Sequence, residues 1–255
     1  MSAFPAIRDR GSYRATVHLL AGAQKKAAPG SPPYSVYVNR PVGRYAAAGA
    51  HLLGLGPNAV SAISSAFTLA GIVSIALLAP RWWTGLLVWA LLALGYVLDS
   101  ADGQVARLRG GGSLAGEWLD HVLDSLKIPA LHLAVLIAAY RSFDLPSAAL
   151  LLVPIAYTVV ATVSFFAMIL NDQLRTTAAL RAGAPAAPVR PRNASLPRSI
   201  LLLPTDYGLL CLVFVFLGAP RVFFTLYTLF FVANAAHLLL ASFTWFHSMK
   251  SLDPH

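Results

Sequence analysis

"DSADGQVARLRGGGSLAGEWLDHVLDSLK", Asp99–Lys127, lies between two long apolar runs and holds five of the chain's ten acidic residues. An aspartate at the centre of a membrane-spanning helix costs about 2.5–3.5 kcal/mol on insertion scales, so four facing lipid would cost on the order of 10 kcal/mol. Such residues persist where they face a wet cavity, share cations that neutralise them, or do both. Asp99 and Asp102 are i,i+3 on one helix face, which Gly103 and Ala106 continue with almost no side chain. Gly116, Asp120 and Asp124 recur every four residues on the next segment. The intervening "RGGGS", Arg109–Ser113, is too short for anything but an antiparallel return, so the two acidic stripes can face each other. At 1.5 Å per residue, Asp99 lies about 26 Å from Trp82 and Asp124 about 24 Å from Tyr140. Both depths fall near one edge of a hydrocarbon core about 30 Å thick.

Composition agrees with this setting. The chain is 57% hydrophobic and 11% charged, against about 25% charged in an average soluble domain. Its apolar residues come in runs long enough to span a bilayer, predicting an all-α membrane protein. Six transmembrane helices are expected at about Asn58–Leu78, Trp82–Leu108, Leu114–Tyr140, Pro146–Leu170, Ser199–Leu217 and Arg221–Met249. Residues 1–33 read as a basic, flexible N-terminal arm and residues 34–255 as one membrane domain. "YSVYVNRPVGRYAAAGAHLLGLG", about residues 34–55, reads as an amphipathic juxtamembrane helix on the cytoplasmic leaflet.

The net charge of +9 is unevenly distributed. Six spans put both termini on one side. That side would carry the arm's Arg and Lys residues, Arg107, Arg109, Arg175, Arg181, Arg190, Arg192, Arg198 and Lys250; Arg81, Arg141 and Arg221 fall opposite. The asymmetry predicts cytoplasmic termini and a cytoplasmic acidic cluster in an inner (plasma) membrane. Attraction to anionic lipid then explains the basic excess, and nucleic acid is not needed. The first 30 residues lack the apolar segment of a signal peptide. Cys211, the only cysteine, excludes disulfides and thiolate metal sites.

Hard oxygen donors favour magnesium, manganese or calcium over zinc, and carboxylates from two helices suit a pair of metals bridging phosphate oxygens. Residues of this kind point to metal-assisted phosphoryl transfer. A divalent-cation pathway is the rival. It would need polar residues continuing outward along both helices, where "WWTGLLVWALLALGYVL" and "IPALHLAVLIAAY" offer only His132.

The stretch Asp99–Asp124 also resembles the signature of the CDP-alcohol phosphatidyltransferases: Asp, two residues, Asp-Gly, two, Ala-Arg, eight, Gly, three, Asp, three, Asp. Asp99, Asp102, Gly103, Ala106, Arg107, Gly116, Asp120 and Asp124 fill every fixed position. The resemblance implies a six-helix membrane fold, a homodimer and two divalent cations, Mg2+ or Mn2+. It implies transfer of a substituted phosphate from a CDP-alcohol to a hydroxyl, with release of CMP. By position, Asp99, Asp102, Asp120 and Asp124 would bind metal, and Asp124 would also be the general base. Gly103, Ala106 and Gly116 would admit the CDP moiety, and Arg107 would anchor the motif or the nucleotide. The expected donor is CDP-diacylglycerol. The expected acceptor is a small polar alcohol or sugar-alcohol phosphate, and "VNRP…LGPN" resembles branches that use inositol phosphate. The reverse arrangement, a CDP-linked headgroup and a lipid alcohol, is the alternative, because "GEWLDHVLDS" is similar to the choline/ethanolamine branch.

Lys127, Arg175, Asp206 and Tyr207 are candidates for acceptor binding. Each has a plainer reading: Lys127 as a snorkelling side chain, Arg175 as a topology charge, and Asp206 and Tyr207 as helix-capping residues. Glu117, the only Glu, and His121 adjoin the motif.

Overall fold

A computed structural model describes residues 12–22, 24, 32–183 and 205–252. Most of the arm, the stretch after residue 183 with its Arg190, Arg192 and Arg198, and the first part of the expected fifth span lie outside the described residues.

The described chain is helical throughout. Helix α1 is Tyr13–Gly22, and α2 is Arg40–Leu52, preceded by a π-helical stretch, Ser35–Asn39. Then follow α3 (Pro57–Leu77), α4 (Trp82–Leu108) and α5 (Leu114–Ser142). Helix α6 (Leu152–Arg181) is entered through a 3-10 turn, α7 (Tyr207–Val213) continues as a 3-10 helix to Gly218, and α8 is Pro220–Lys250. Among the described residues, five helical stretches are long and apolar enough to cross a membrane. Tyr207–Gly218 is a shorter apolar helix, whose expected beginning at Ser199 is not among those residues. Two expectations change. The fourth span is expected to end at Leu170, but its helix continues to Arg181. Within the arm expected to be flexible, Tyr13–Gly22 is a helix, because Leu20 has apolar partners on α2–α4 to bury against.

Local chemistry sets the boundaries. Pro57 opens α3 at the first helical position, where a missing N–H costs nothing. Helix α4 ends with Gly111 N donating to Ala106 O at 3.0 Å, and Gly110 and Gly111 take φ of 94° and 134°, a region that side-chain-bearing residues avoid. Ser113 Oγ then caps α5, accepting from Gly116 N at 3.0 Å. The glycine turn therefore makes the antiparallel return expected from its length. Arg109 fastens it, donating to Gly54 O at 3.0 Å and Leu55 O at 2.9 Å in the α2–α3 turn.

Helix association within lipid relies on close backbone approach and interhelical hydrogen bonds rather than on hydrophobic transfer. Helix α3 provides both against α4. Its buried Ser61, Ser64, Ser65, Thr68 and Gly71 form a stripe of small residues. Ser64 Oγ donates to Gly95 O at 2.8 Å, and a Cβ on Gly95 would strike the Thr68 side chain. Two apolar clusters result. One joins α3, α4, α5, α7 and the start of α8 around Leu92, Val135, Phe214 and Tyr227. The other joins α1–α4 beside the acidic end, around Leu20, Ala47 and Val105. His132 sits in the first, with Nδ1 2.7 Å from Tyr227 Oη and its ring stacked 4.0 Å from that of Tyr157. It ties α5 to α6 and α8, so its polarity is spent on packing.

Candidate metal and nucleotide site

The α4–α5 return brings the two stripes together. Asp99, Asp120 and Asp124 each offer a carboxylate oxygen, and the three atoms lie within 4.8 Å of one another. That spacing and these hard donors fit divalent cations. Asp102, buried at 9% exposure, stands beside this trio. Its Oδ2 accepts from Ser61 Oγ at 2.5 Å, which fixes the carboxylate's orientation, and Oδ1 accepts from Gly103 N. Ser61 and the rest of the α3 contribution had no signal in the motif. Only the tight α3–α4 packing delivers them.

A cavity of about 560 Å3 opens on the Asp102–Asp120 side and is lined by Asn58, Ser61, Asp102, Gly103, Ala106, Arg109, Gly116 and Asp120, among others. Its volume suits a nucleotide-sized ligand. The two glycines differ in what requires them. A Cβ on Gly116 would meet Asn58 Oδ1 at 3.1 Å and Ser113 Oγ at 3.2 Å, so packing itself demands a small residue. A Cβ on Gly103 would meet nothing closer than Arg107 Nη1 at 3.7 Å. A Cβ at Gly103 would therefore make only an ordinary contact with the end of a flexible side chain.

A second cavity, about 250 Å3, lies on the Asp99–Asp124 side, lined by Tyr96, Lys127, Phe165, Met168 and Tyr207, among others. Tyr207, expected near the acceptor, is thus placed beside the carboxylates. Lys127 Nζ is 3.1 Å from Asp99 Oδ1 and 2.7 Å from Asp124 Oδ1, and its side chain is 11% exposed. The snorkelling reading is excluded by that burial. A third, polar cavity of about 330 Å3 is bordered by Asn39, Arg40, Asp99, Gln104 and Arg107. Arg107 thus lines a different cavity from Gly103, Ala106 and Gly116.

Two other candidates make contacts within the fold. Asp206 is 1% exposed. Its Oδ1 accepts from Gly208 N at 3.0 Å, and its Oδ2 from Tyr34 N at 2.7 Å and Ser35 N at 3.4 Å. Both oxygens are committed to backbone amides, so Asp206 clamps the starts of α7 and of the Ser35–Asn39 helix and is a cap rather than an acceptor ligand. Arg175 Nη2 donates to Ser248 Oγ at 2.9 Å, tying α6 to α8. Glu117 borders the large cavity as well as an apolar groove between α5 and α6, and its Oε1 lies 3.9 Å from His121 Nε2.

Comparison with known proteins matches residues 55–246 to the family model of the CDP-alcohol phosphatidyltransferases. Phosphatidylinositol phosphate synthase of Corynebacterium glutamicum is 36% identical over 94 residues, 36% of this chain and 40% of that protein, so the match spans less than half of the relative's length. Two crystal structures of Mycobacterium tuberculosis phosphatidylinositol phosphate synthase align with 82% of this chain at a TM-score of 0.46. One has CDP-DAG bound, with 23% identity and 93% of its chain covered. The other is a complex with manganese and citrate, with 22% identity and 89% covered. With the family model covering the motif and both flanking sets of helices, the chain belongs to the CDP-alcohol phosphatidyltransferase family.

Proposed function

We propose that this chain transfers a phosphatidyl group from CDP-diacylglycerol to a sugar-alcohol phosphate and releases CMP. The observation that carries the reading is the convergence of Asp99, Asp120 and Asp124 beside a cavity that Gly103, Ala106 and Gly116 keep open. Asp99, Asp102, Asp120 and Asp124 would hold two divalent cations, Mg2+ or Mn2+. When bound, such ions neutralise a pyrophosphate and stabilise the departing CMP.

The chain's own residues divide the remaining work. Gly103, Ala106 and Gly116 admit the cytidine diphosphate into the larger cavity, and Ser61 holds Asp102 in place. Asp124 borders the smaller cavity and receives the proton of the acceptor hydroxyl. In-line displacement then needs that hydroxyl opposite the departing CMP across the phosphorus. Tyr207 lines the cavity that Asp124 borders. Inositol phosphate is the acceptor favoured by the name of the corynebacterial relative. The chain is further proposed to cross the plasma membrane six times, with its termini and site cytoplasmic, and to act as a homodimer among anionic lipids.

The test is release of CMP by the full chain in vesicles holding CDP-diacylglycerol and Mn2+, with inositol phosphate, glycerol phosphate and the free alcohols as acceptors. Acceptor-dependent release supports the reading. Release only when a CDP-linked headgroup meets a lipid alcohol reverses donor and acceptor, and no release with any pair overturns it.

A further inference from the structure

Lys127 brings a cation of the chain's own into the carboxylate cluster. It lies three residues after Asp124 on α5 and reaches across to Asp99 on α4, contacting Oδ1 of each. Buried carboxylates without a counter-ion are costly, so a positive charge at this point stabilises the α4–α5 pairing. The same two residues supply two of the three oxygens positioned for a divalent ion. An ammonium and a divalent cation held on the same pair of carboxylates draw on the same negative charge and repel one another.

Building on the metal reading above, we propose that Lys127 is a tethered counter-ion that exchanges with a divalent cation at the Asp99–Asp124 pair. It holds α4 to α5 until the ion arrives, then withdraws from the pair. Competition of this kind is reciprocal: whatever free energy the ion spends in displacing the ammonium is lost from its affinity. Lys127 therefore sets how much free metal the site requires.

The experiment measures Mn2+ binding to the detergent-solubilised full chain, read from the electron paramagnetic resonance signal of free Mn2+, beside thermal unfolding in chelator and in Mn2+. K127M removes the charge at similar length and is expected to bind Mn2+ about tenfold more tightly, within the usual range of such couplings. Its melting temperature should fall in chelator and rise further on Mn2+ addition than that of the wild type. K127R keeps the charge and should bind Mn2+ no more tightly than the wild type. If K127M does not survive chelator, it is prepared in Mn2+ and its affinity read by competition against a chelator. Mn2+ binding to K127M equal to or weaker than wild type overturns the exchange. A wild type that binds no Mn2+ overturns the metal reading beneath it.

Discussion

Asp124 and Gly103 occupy the same short motif, yet each is tested by a different property. Removal of a general base typically costs 10²–10⁴-fold in rate, so Asp124→Asn should lower CMP release by at least about 100-fold. Gly103→Val should leave the melting temperature close to wild type, because its Cβ meets only the mobile end of Arg107 at ordinary contact distance. Its side chain would enter the larger cavity, so KM for the CDP donor should rise. A Gly103→Val protein that unfolds instead would show that the fold, not the ligand, needs that space. Spacing in the sequence groups four aspartates, of which the structure brings Asp99, Asp120 and Asp124 within 4.8 Å and leaves Asp102 outside that trio, bonded to Ser61. It could not choose between readings of Lys127 or reveal the task of Asp206, because those depend on where a long side chain ends and on amides at Tyr34 and Ser35, far away in sequence.

The helices show the same division between local and distant causes. The apolar runs bounded by Pro57, Trp82, the Arg109–Ser113 turn and Pro220 mark α3, α4, α5 and α8 to within a few residues. The extension of α6 to Arg181 was not legible, since Asn171–Arg181 is too polar to read as membrane span yet continues as a helix. Nor was α1, which forms by packing onto α2. Gly95 and Asp206 carry two separable element contacts. Gly95→Leu should force α3 from α4 and sharply lower the melting temperature in detergent, because the Thr68 side chain and Ser64 O leave no room. Asp206→Ala should cost about 2 kcal/mol, the upper range for a lost cap, because three amides lose their acceptor together. Activity retained by Asp206→Ala at low temperature is expected of a cap and would not be expected of an acceptor ligand.

At the scale of the whole molecule, α4 and α5 bring the carboxylates, α3 closes the wall of the larger cavity, and α6 and α7 add Phe165, Met168 and Tyr207 to the smaller. That plan predicts that divalent metal stabilises the folded state. Stripping it with chelator should lower the melting temperature, and excess Mn2+ should restore it in proportion to binding. The arrangement of the wall was beyond the sequence, because Ser61 comes from a segment with no chemical signature of its own and spacing does not say which helix closes on the motif. The most direct measurement is a crystallographic or cryo-EM structure at saturating Mn2+, with the metal identified by its anomalous scattering or density. This account predicts two ions held by Asp99, Asp102, Asp120 and Asp124, with Lys127 drawn away from the Asp99–Asp124 pair. An ion-free cluster, or Mn2+ bound elsewhere on the chain, would contradict it.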